Sequence, residues 1–171
     1  SSSSLMNSTD TNVRAFAMDD WRDVAELFLA PKCCWGTLQL PYQSMDDIKA
    51  KLESPPAGMH RLVAEREGKV LGMLGMHTFK GRRAHVSDIG MFVHDDAQGQ
   101  GLGTSLLAAA IDLSENWLNL HRMELTVYPD NAAAIGLYEK HAFQREGTLV
   151  DYAYRDGKYG DALCMARLRG R

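Results

Sequence analysis

Three β-strand patterns joined by very short connections constrain the fold of this chain most. The patterns cover about residues 61–66, 70–79 and 84–93, and the connections 67–69 and 80–83 combine Gly with charged residues. Connections this short bring consecutive strands together in opposite directions. The segment therefore predicts an antiparallel meander.

Strands and helices alternate on both sides of the meander. Before it, apolar spacing and Pro signals predict a strand (13–17), a helix that starts at Trp21 and ends before Pro31, an irregular segment (32–43) and a short helix (44–52). After it, they predict a helix (102–117), a strand (122–127), a helix (131–141) and two strands (144–155 and 159–168) around the hairpin signal Asp156-Gly157. The sequence thus predicts one α/β (α+β) domain over residues 12–170, with a mixed, mainly antiparallel sheet flanked by helices.

Charge and hydropathy narrow the classes of partner. Lys and Arg number 19 against 22 Asp and Glu, so the formal net charge of −3 offers no basic surface for nucleic acid or anionic lipid. The longest conspicuous apolar run, 106–111, has six residues, far short of the roughly 20 needed to span a bilayer. We therefore expect no nucleic-acid or membrane partner, and a disordered or tag-derived segment at the polar residues 1–11.

Cysteine and histidine patterns give no indication of a metal centre. Cys33, Cys34 and Cys164 make an odd count without Cys-x-x-Cys spacing, and the six histidines show no ligand spacing. We expect no metal, buried thiols and a reducing, cytoplasmic setting.

The glycine-rich turn between the third meander strand and the following helix is the most informative segment for function. Gly99, Gly101 and Gly103 remove side chains where several backbone N–H groups converge on a helix N-terminus. Such a turn is typical of a diphosphate cradle, and a plain strand-to-helix turn is the alternative.

The glycine spacing disfavours two common phosphate motifs. The dinucleotide fingerprint Gly-x-Gly-x-x-Gly requires a third glycine. Counted from Gly99 that position is Thr104, and counted from Gly101 it is Leu106. A nucleoside-triphosphate loop would require Lys after its last glycine, whereas Gly103 precedes Thr104. The turn therefore gives little support for NAD or ATP.

The run Gln98-Gly99-Gln100-Gly101-Leu102-Gly103 resembles the acetyl-CoA loop of the GNAT N-acetyltransferases. The order of elements over about 62–168 follows that family, as does the pattern Asn131-x-x-Ala-x-x-x-Tyr138-x-x-x-x-Phe143. Within the family, residues 37–41, 122–127, 130–132 and 156–159 look most like the YhhY-type L-amino-acid N-acetyltransferases.

The resemblance implies an enzyme that transfers acetyl from acetyl-CoA to a primary amine, without a metal. By resemblance the coenzyme is bound by main-chain groups of the strand before the turn, by the turn itself and by the start of the helix at 131–141. The residues are Met91, Phe92, Val93, Gln98, Gly99, Gln100, Gly101, Leu102, Gly103, Thr104 and Asn131. Tyr138 is then the general acid that protonates the departing thiolate, since a phenol is largely protonated at neutral pH.

The acceptor is implied only broadly. A free L-amino acid fits the narrower resemblance, and a polyamine, an antibiotic or a protein N-terminus are alternatives, as are a non-catalytic acyl-CoA sensor and a nucleotide-binding module. The resemblance also implies a homodimer.

The general base is the least defined part of the predicted site. Asp88 and Glu124 lie on neighbouring strands, and each is either a base or an ordinary structural carboxylate. We place Asp88 first.

Residues of the acceptor pocket are predicted in the segment between the first two helices and among the arginines. Trp35, Leu38, Leu40 and Tyr42 are predicted to form its apolar lip. Arg61 and the pair at 82–83 are candidates for binding an acceptor carboxylate, although such arginines are usually only solvated.

Overall fold

The computed structural model describes residues 11–170, which share one seven-stranded sheet. The strands are β1 (Asn12–Ala15), β2 (Met59–Arg66), β3 (Lys69–Thr78), β4 (Val86–Val93), β5 (Arg122–Val127), β6 (Gln144–Arg155) and β7 (Lys158–Leu168). The helices are α1 (Trp21–Leu29), α2 (Pro31–Trp35), α3 (Met45–Glu53), α4 (Leu102–Asp112) and α5 (Ala132–Lys140). The strand order is β1-β2-β3-β4-β5-β7-β6, and every neighbouring pair is antiparallel except β4 and β5. The predicted mixed, mainly antiparallel sheet flanked by helices is confirmed.

Two apolar cores lie on opposite faces of the sheet. On one face, α1 and α3 pack on β2 and β3 through buried residues such as Leu27, Ile48 and Val63. On the other, α4 and α5 pack on the central strands through residues such as Leu106 and Tyr138. Each helix buries one stripe, so the sheet is covered on both sides by amphipathic helices.

Helix α2 corrects the expectation that residues 32–43 are wholly irregular. Pro31 is the first residue of this short helix, a position where its missing N–H costs nothing. The carboxylate of Asp95 accepts hydrogen bonds from the N–H groups of Lys32 at 3.0 Å and Cys33 at 3.1 Å. This cap comes from a residue more than 60 positions away, so no local pattern could predict it.

The pairing between β4 and β5 ends early and opens the sheet. Three residue pairs join the strands, from Val86 with Arg122 to Asp88 with Glu124. Strand β4 continues along β3 to its end, and β5 stays paired with β7 over its whole length. Beyond Asp88 the two halves of the sheet therefore separate, and main-chain groups at the facing edges of β4 and β5 lose their strand partners.

No helix within residues 11–170 is long and apolar enough to cross a membrane. The expectation for residues 1–11 lies outside the described residues, except for Thr11, whose hydroxyl accepts a hydrogen bond from Arg66 at 3.0 Å.

Candidate active site

A cavity of about 810 Å³ passes through the opening between β4 and β5. At one end it is lined by the glycine turn and α5, including Gly101 and Tyr138. At the other end it is lined by the opposite face of β2, β3 and β4, including Arg61 and Asp88. One extended ligand can therefore reach from the turn to the far face of the sheet.

The glycine turn has the geometry of an anion cradle. Gly99 and Gly101 adopt left-handed φ angles of 77° and 85°, and a Cβ on either would meet nothing within 4 Å. Gly101 precedes α4 without a side-chain cap, so the first N–H groups of that helix have no intrahelical or capping partner. Free N–H groups at a helix N-terminus bind phosphate, and the residues present therefore fit a diphosphate.

Five of the seven predicted turn residues face the cavity. Gln98, Gly99, Gly101, Gly103 and Thr104 line the cavity.

The other two predicted turn residues, Gln100 and Leu102, have supporting positions. The Gln100 side chain accepts a hydrogen bond from Arg66, which also donates to the Gln100 carbonyl at 3.2 Å. Leu102 is 1% exposed and belongs to the core. The Arg66 anchor was not predicted, because it joins positions 34 residues apart and nothing in the local pattern marks it.

The end of β4 lies beside the turn, as expected. Met91, Phe92 and Val93 all line the cavity. Phe92 packs on Phe28 of α1 with ring centroids 4.8 Å apart, whereas Met91 and Val93 pack on the core under α4. The three side chains thus fix this strand from both faces, while its main chain borders the opening.

Asn131 and Tyr138 lie where α5 meets the cavity. The Asn131 side-chain carbonyl accepts a hydrogen bond from the Ala134 N–H at 3.2 Å, which makes it the cap of α5. Tyr138 is buried beside Phe143, and this burial raises the pKa of its phenol to about 12. The phenol therefore stays protonated through the neutral range and can act as a proton donor.

The structure separates the two candidate bases. Glu124 accepts hydrogen bonds from Arg83 and from Arg122, the latter at 3.1 Å, so its charge is already compensated. Asp88 lines the cavity and makes no side-chain hydrogen bond or salt bridge to any residue in 11–170. Burial, and secondarily the charge of Glu124, raises the pKa of Asp88 above its usual range, against the opposing effect of His77 and Arg83. Asp88 is thus the carboxylate available to a ligand.

The predicted apolar lip is only partly present. Leu38 lines the cavity, whereas Leu40 and Tyr42 are exposed to solvent away from it. Trp35 instead stacks on Arg155, whose guanidinium lies 3.9 Å from the Trp35 ring centroid. The expectation for these three residues was wrong: Leu40 and Tyr42 do not line the cavity, and Arg155 of β6 binds the Trp35 ring instead.

Arg155 is a second supporting residue that sequence reasoning missed. Its guanidinium also lies over the Tyr128 ring at 4.2 Å and donates to Asp130 at 2.9 Å. It donates to the Trp35 carbonyl as well, at 3.0 Å. These contacts hold the end of α2 against the loop before α5, and Tyr128 of that loop lines the cavity.

The opening between the two parallel strands thus joins a turn that fits a diphosphate to a carboxylate without a partner among the described residues. Residues 21–143 match the Acetyltransferase (GNAT) family, and the chain belongs to this family. It is an N-acetyltransferase.

Known proteins similar to this chain act on different amines. The L-amino acid N-acetyltransferase AaaT of Escherichia coli is 37% identical over 88% of this chain and 93% of its own length. The spermidine N(1)-acetyltransferase of Vibrio cholerae is 28% identical over 77% of each chain. The crystal structure of the Vibrio cholerae spermidine N-acetyltransferase with CoA and spermine superposes with a TM-score of 0.83 at 26% identity, covering 95% of this chain and 97% of that one.

We predict that Gly101→Ala weakens CoA binding through the cradle. An alanine at the φ angle of 85° costs about 1–2 kcal/mol, and its methyl group occupies the open space beside the turn. Isothermal titration with CoA should show at least a tenfold higher Kd, an order-of-magnitude expectation for a lost charged hydrogen bond of about 1.5–3 kcal/mol.

Gly157→Ala is the matched control for this variant. Gly157 has a φ of 82° and equally open surroundings, but it lies in the β6–β7 hairpin outside the cavity. Both variants should lose a similar free energy of unfolding, and only Gly101→Ala should bind CoA more weakly. Equal CoA affinity in the two variants would remove the cradle from the site.

Proposed function

We propose that this chain acetylates the amine of a free L-amino acid and that acetyl-CoA is the donor. The observation that carries the proposal is that one cavity joins an anion cradle, a protonated phenol and an unpaired carboxylate. The 37% identity to an L-amino acid N-acetyltransferase over most of both chains supports the acceptor class. Spermidine is less well suited, since a polyamine requires an acidic groove and Arg61 places a cation at the acceptor end.

The coenzyme would be held along the opening in the sheet. Its diphosphate is bound by the N–H groups of the turn around Gly99 and Gly101, and its pantetheine arm extends along Met91–Val93 toward Tyr138. Asn131 contributes its amide nitrogen, since its side-chain oxygen already caps α5. Bound there, acetyl-CoA supplies a thioester whose carbonyl carbon forms a bond to the acceptor nitrogen as the bond to sulfur breaks.

Two residues move the protons of this reaction. Asp88 accepts a proton from the acceptor ammonium, which leaves the nitrogen lone pair free for attack, and passes the proton to water in the cavity. Tyr138 donates its phenolic proton to the departing thiolate and recovers one from solvent. The two groups line the same cavity, Tyr138 from α5 and Asp88 from β4.

Tyr138→Phe should lower turnover without weakening donor binding. The ring and its contact with Phe143 remain, and only the proton donor is lost. We expect kcat to fall about 100-fold, in the range typical of general acids, with the Kd for CoA within about twofold. Thiol release measured with acetyl-CoA and L-phenylalanine gives kcat, and Tyr42→Phe, at a fully exposed tyrosine, is the control. Unchanged kcat in Tyr138→Phe would exclude this role.

Replacing each carboxylate separately tests the assignment of the base. Asp88→Asn should lower kcat/KM about 100-fold and abolish the fall of activity on the acidic side of the pH profile, because the group that must be deprotonated is gone.

Glu124→Gln should keep most activity and shift that acidic limb to lower pH. Removing the Glu124 charge lowers the pKa of Asp88, whose carboxylate is then formed at lower pH. The opposite pattern, with the large loss in Glu124→Gln and a normal profile in Asp88→Asn, would transfer the role of base to Glu124.

We also keep the homodimer and the cytoplasmic setting as proposals. Strand β6 is an edge strand of 12 residues, and Val150, Tyr154 and the facing Tyr159 are each at least 65% exposed, which supports pairing with a second copy. The three free cysteines of the described residues support a reducing compartment.

Sedimentation equilibrium tests the dimer. The chain should sediment at twice its own mass at micromolar concentration, and Val150→Lys, which places a charge on the exposed edge, should sediment as a monomer. A wild-type monomer would end this proposal.

A further inference from the structure

The floor of the acceptor end of the cavity is a row of one arginine and two glycines. Arg61 on β2 lies opposite Gly75 on β3, and Gly75 lies opposite Gly90 on β4. Directly paired residues share one face of a sheet, so the row leads from the arginine to the opening beside β5 over two strand spacings of about 4.8 Å each. A Cβ on Gly90 would meet nothing within 4 Å, and a Cβ on Gly75 would meet only the Met59 sulfur, at 3.4 Å. The two glycines therefore leave a shallow trough between the Arg61 position and the opening.

The rows on either side give this trough two different walls. One neighbouring row pairs His77 with Asp88 and is polar. The other pairs Met73 with Phe92 and is apolar. All four of these residues line the same cavity. A small ligand lying over the glycines thus has a proton acceptor on one side and an apolar surface on the other.

Arg61 brings to this trough a cation without an anionic partner. Its guanidinium donates to the Leu52 carbonyl at 2.9 Å and lies 4.3 Å from the Phe16 ring centroid, and both of these partners are neutral. Within residues 11–170 no carboxylate forms a salt bridge with it. Burial lowers the pKa of Arg61, and no carboxylate of the described residues offsets this desolvation of its charge.

Four other partly buried arginines of this protein are compensated by carboxylates, whereas Arg66 binds, within residues 11–170, only the neutral groups of Thr11 and Gln100 and does not line the cavity. Arg14, Arg122, Arg155 and Arg167 each form a salt bridge with an aspartate or glutamate. Arg61 differs from them in facing a cavity, where the missing anion can come from a ligand.

We propose that Arg61 binds the carboxylate of the acceptor and makes this enzyme selective for free α-amino acids. The inference rests on the proposed function and deepens it. One guanidinium nitrogen is engaged by Leu52, and the others are available to a carboxylate. The carboxylate then lies over Gly75 beside the guanidinium, the α-amine points along the row toward Gly90 and Asp88, and the acceptor side chain packs on Met73 and Phe92. An amine without a carboxylate leaves the Arg61 charge uncompensated and is a poorer substrate.

The test compares two acceptors that differ only in the carboxylate. L-Phenylalanine and 2-phenylethylamine carry the same ring and a primary amine, and the second lacks the acid group. The wild-type enzyme should show kcat/KM for L-phenylalanine at least about tenfold above that for 2-phenylethylamine, the effect expected of one charged hydrogen-bonded pair.

Arg61→Gln should remove this preference selectively. Its kcat/KM for L-phenylalanine should fall about 10- to 100-fold, mainly through KM, while that for 2-phenylethylamine stays within about threefold. Arg22→Gln removes an exposed arginine of α1 that does not line the cavity and is the matched control, expected to change neither value.

Arg61→Lys keeps the proposal testable if the loss of the Leu52 and Phe16 contacts prevents Arg61→Gln from folding. The lysine retains the charge without the planar arrangement of donors. The value of kcat/KM should therefore fall about 3- to 10-fold for L-phenylalanine and stay unchanged for 2-phenylethylamine.

An equal loss of kcat/KM on both acceptors in the folded variant means that Arg61 is only structural and overturns the proposal. Wild-type activity on 2-phenylethylamine or spermidine that equals or exceeds that on L-phenylalanine overturns it too, while acetyl transfer itself stands. Wild-type failure to acetylate any of these amines overturns the proposed function instead.

Discussion

The early end of the β4–β5 pairing is the constraint on which the rest of the structure depends. Three residue pairs join a four-stranded half of the sheet to a three-stranded half. Beyond Asp88, β4 stays paired only with β3, and β5 beyond Glu124 stays paired only with β7. Main-chain N–H and C=O groups need partners wherever water is excluded, so an opening at the centre of a sheet invites a ligand with polar groups along its length. Because the opening connects the two faces, the donor and the acceptor can approach each other from opposite sides.

Desolvation raises the pKa of both residues proposed to transfer protons, and it suits them to different roles. For Tyr138 it raises the pKa to about 12, which keeps the phenol in its donor form at neutral pH. For Asp88 it also raises the pKa, which makes the carboxylate a stronger proton acceptor than an ordinary exposed aspartate. The same physical cause thus favours an acid on α5 and a base on β4. Glu124 does not share this role, since Arg83 and Arg122 already neutralise it.

The sequence predicted those parts of the molecule that local patterns determine. Short connections specified the meander, glycine spacing specified the turn, and Asn131 marked the start of α5. Contacts between distant positions could not be predicted: the cap of α2 by Asp95, the anchoring of the turn by Arg66, and the stacking of Arg155 on Trp35. The same limit applies to the site, where both carboxylates look alike in sequence and only their neighbours across the sheet distinguish them.

A crystal structure of this chain with CoA tests the central claim most directly. The account predicts diphosphate density on the main-chain N–H groups of residues 99–104 and a pantetheine arm in the opening between β4 and β5, with its sulfur near the Tyr138 hydroxyl. CoA bound elsewhere, or β4 and β5 paired continuously as far as Met91 and Val127 with the opening closed, would contradict it.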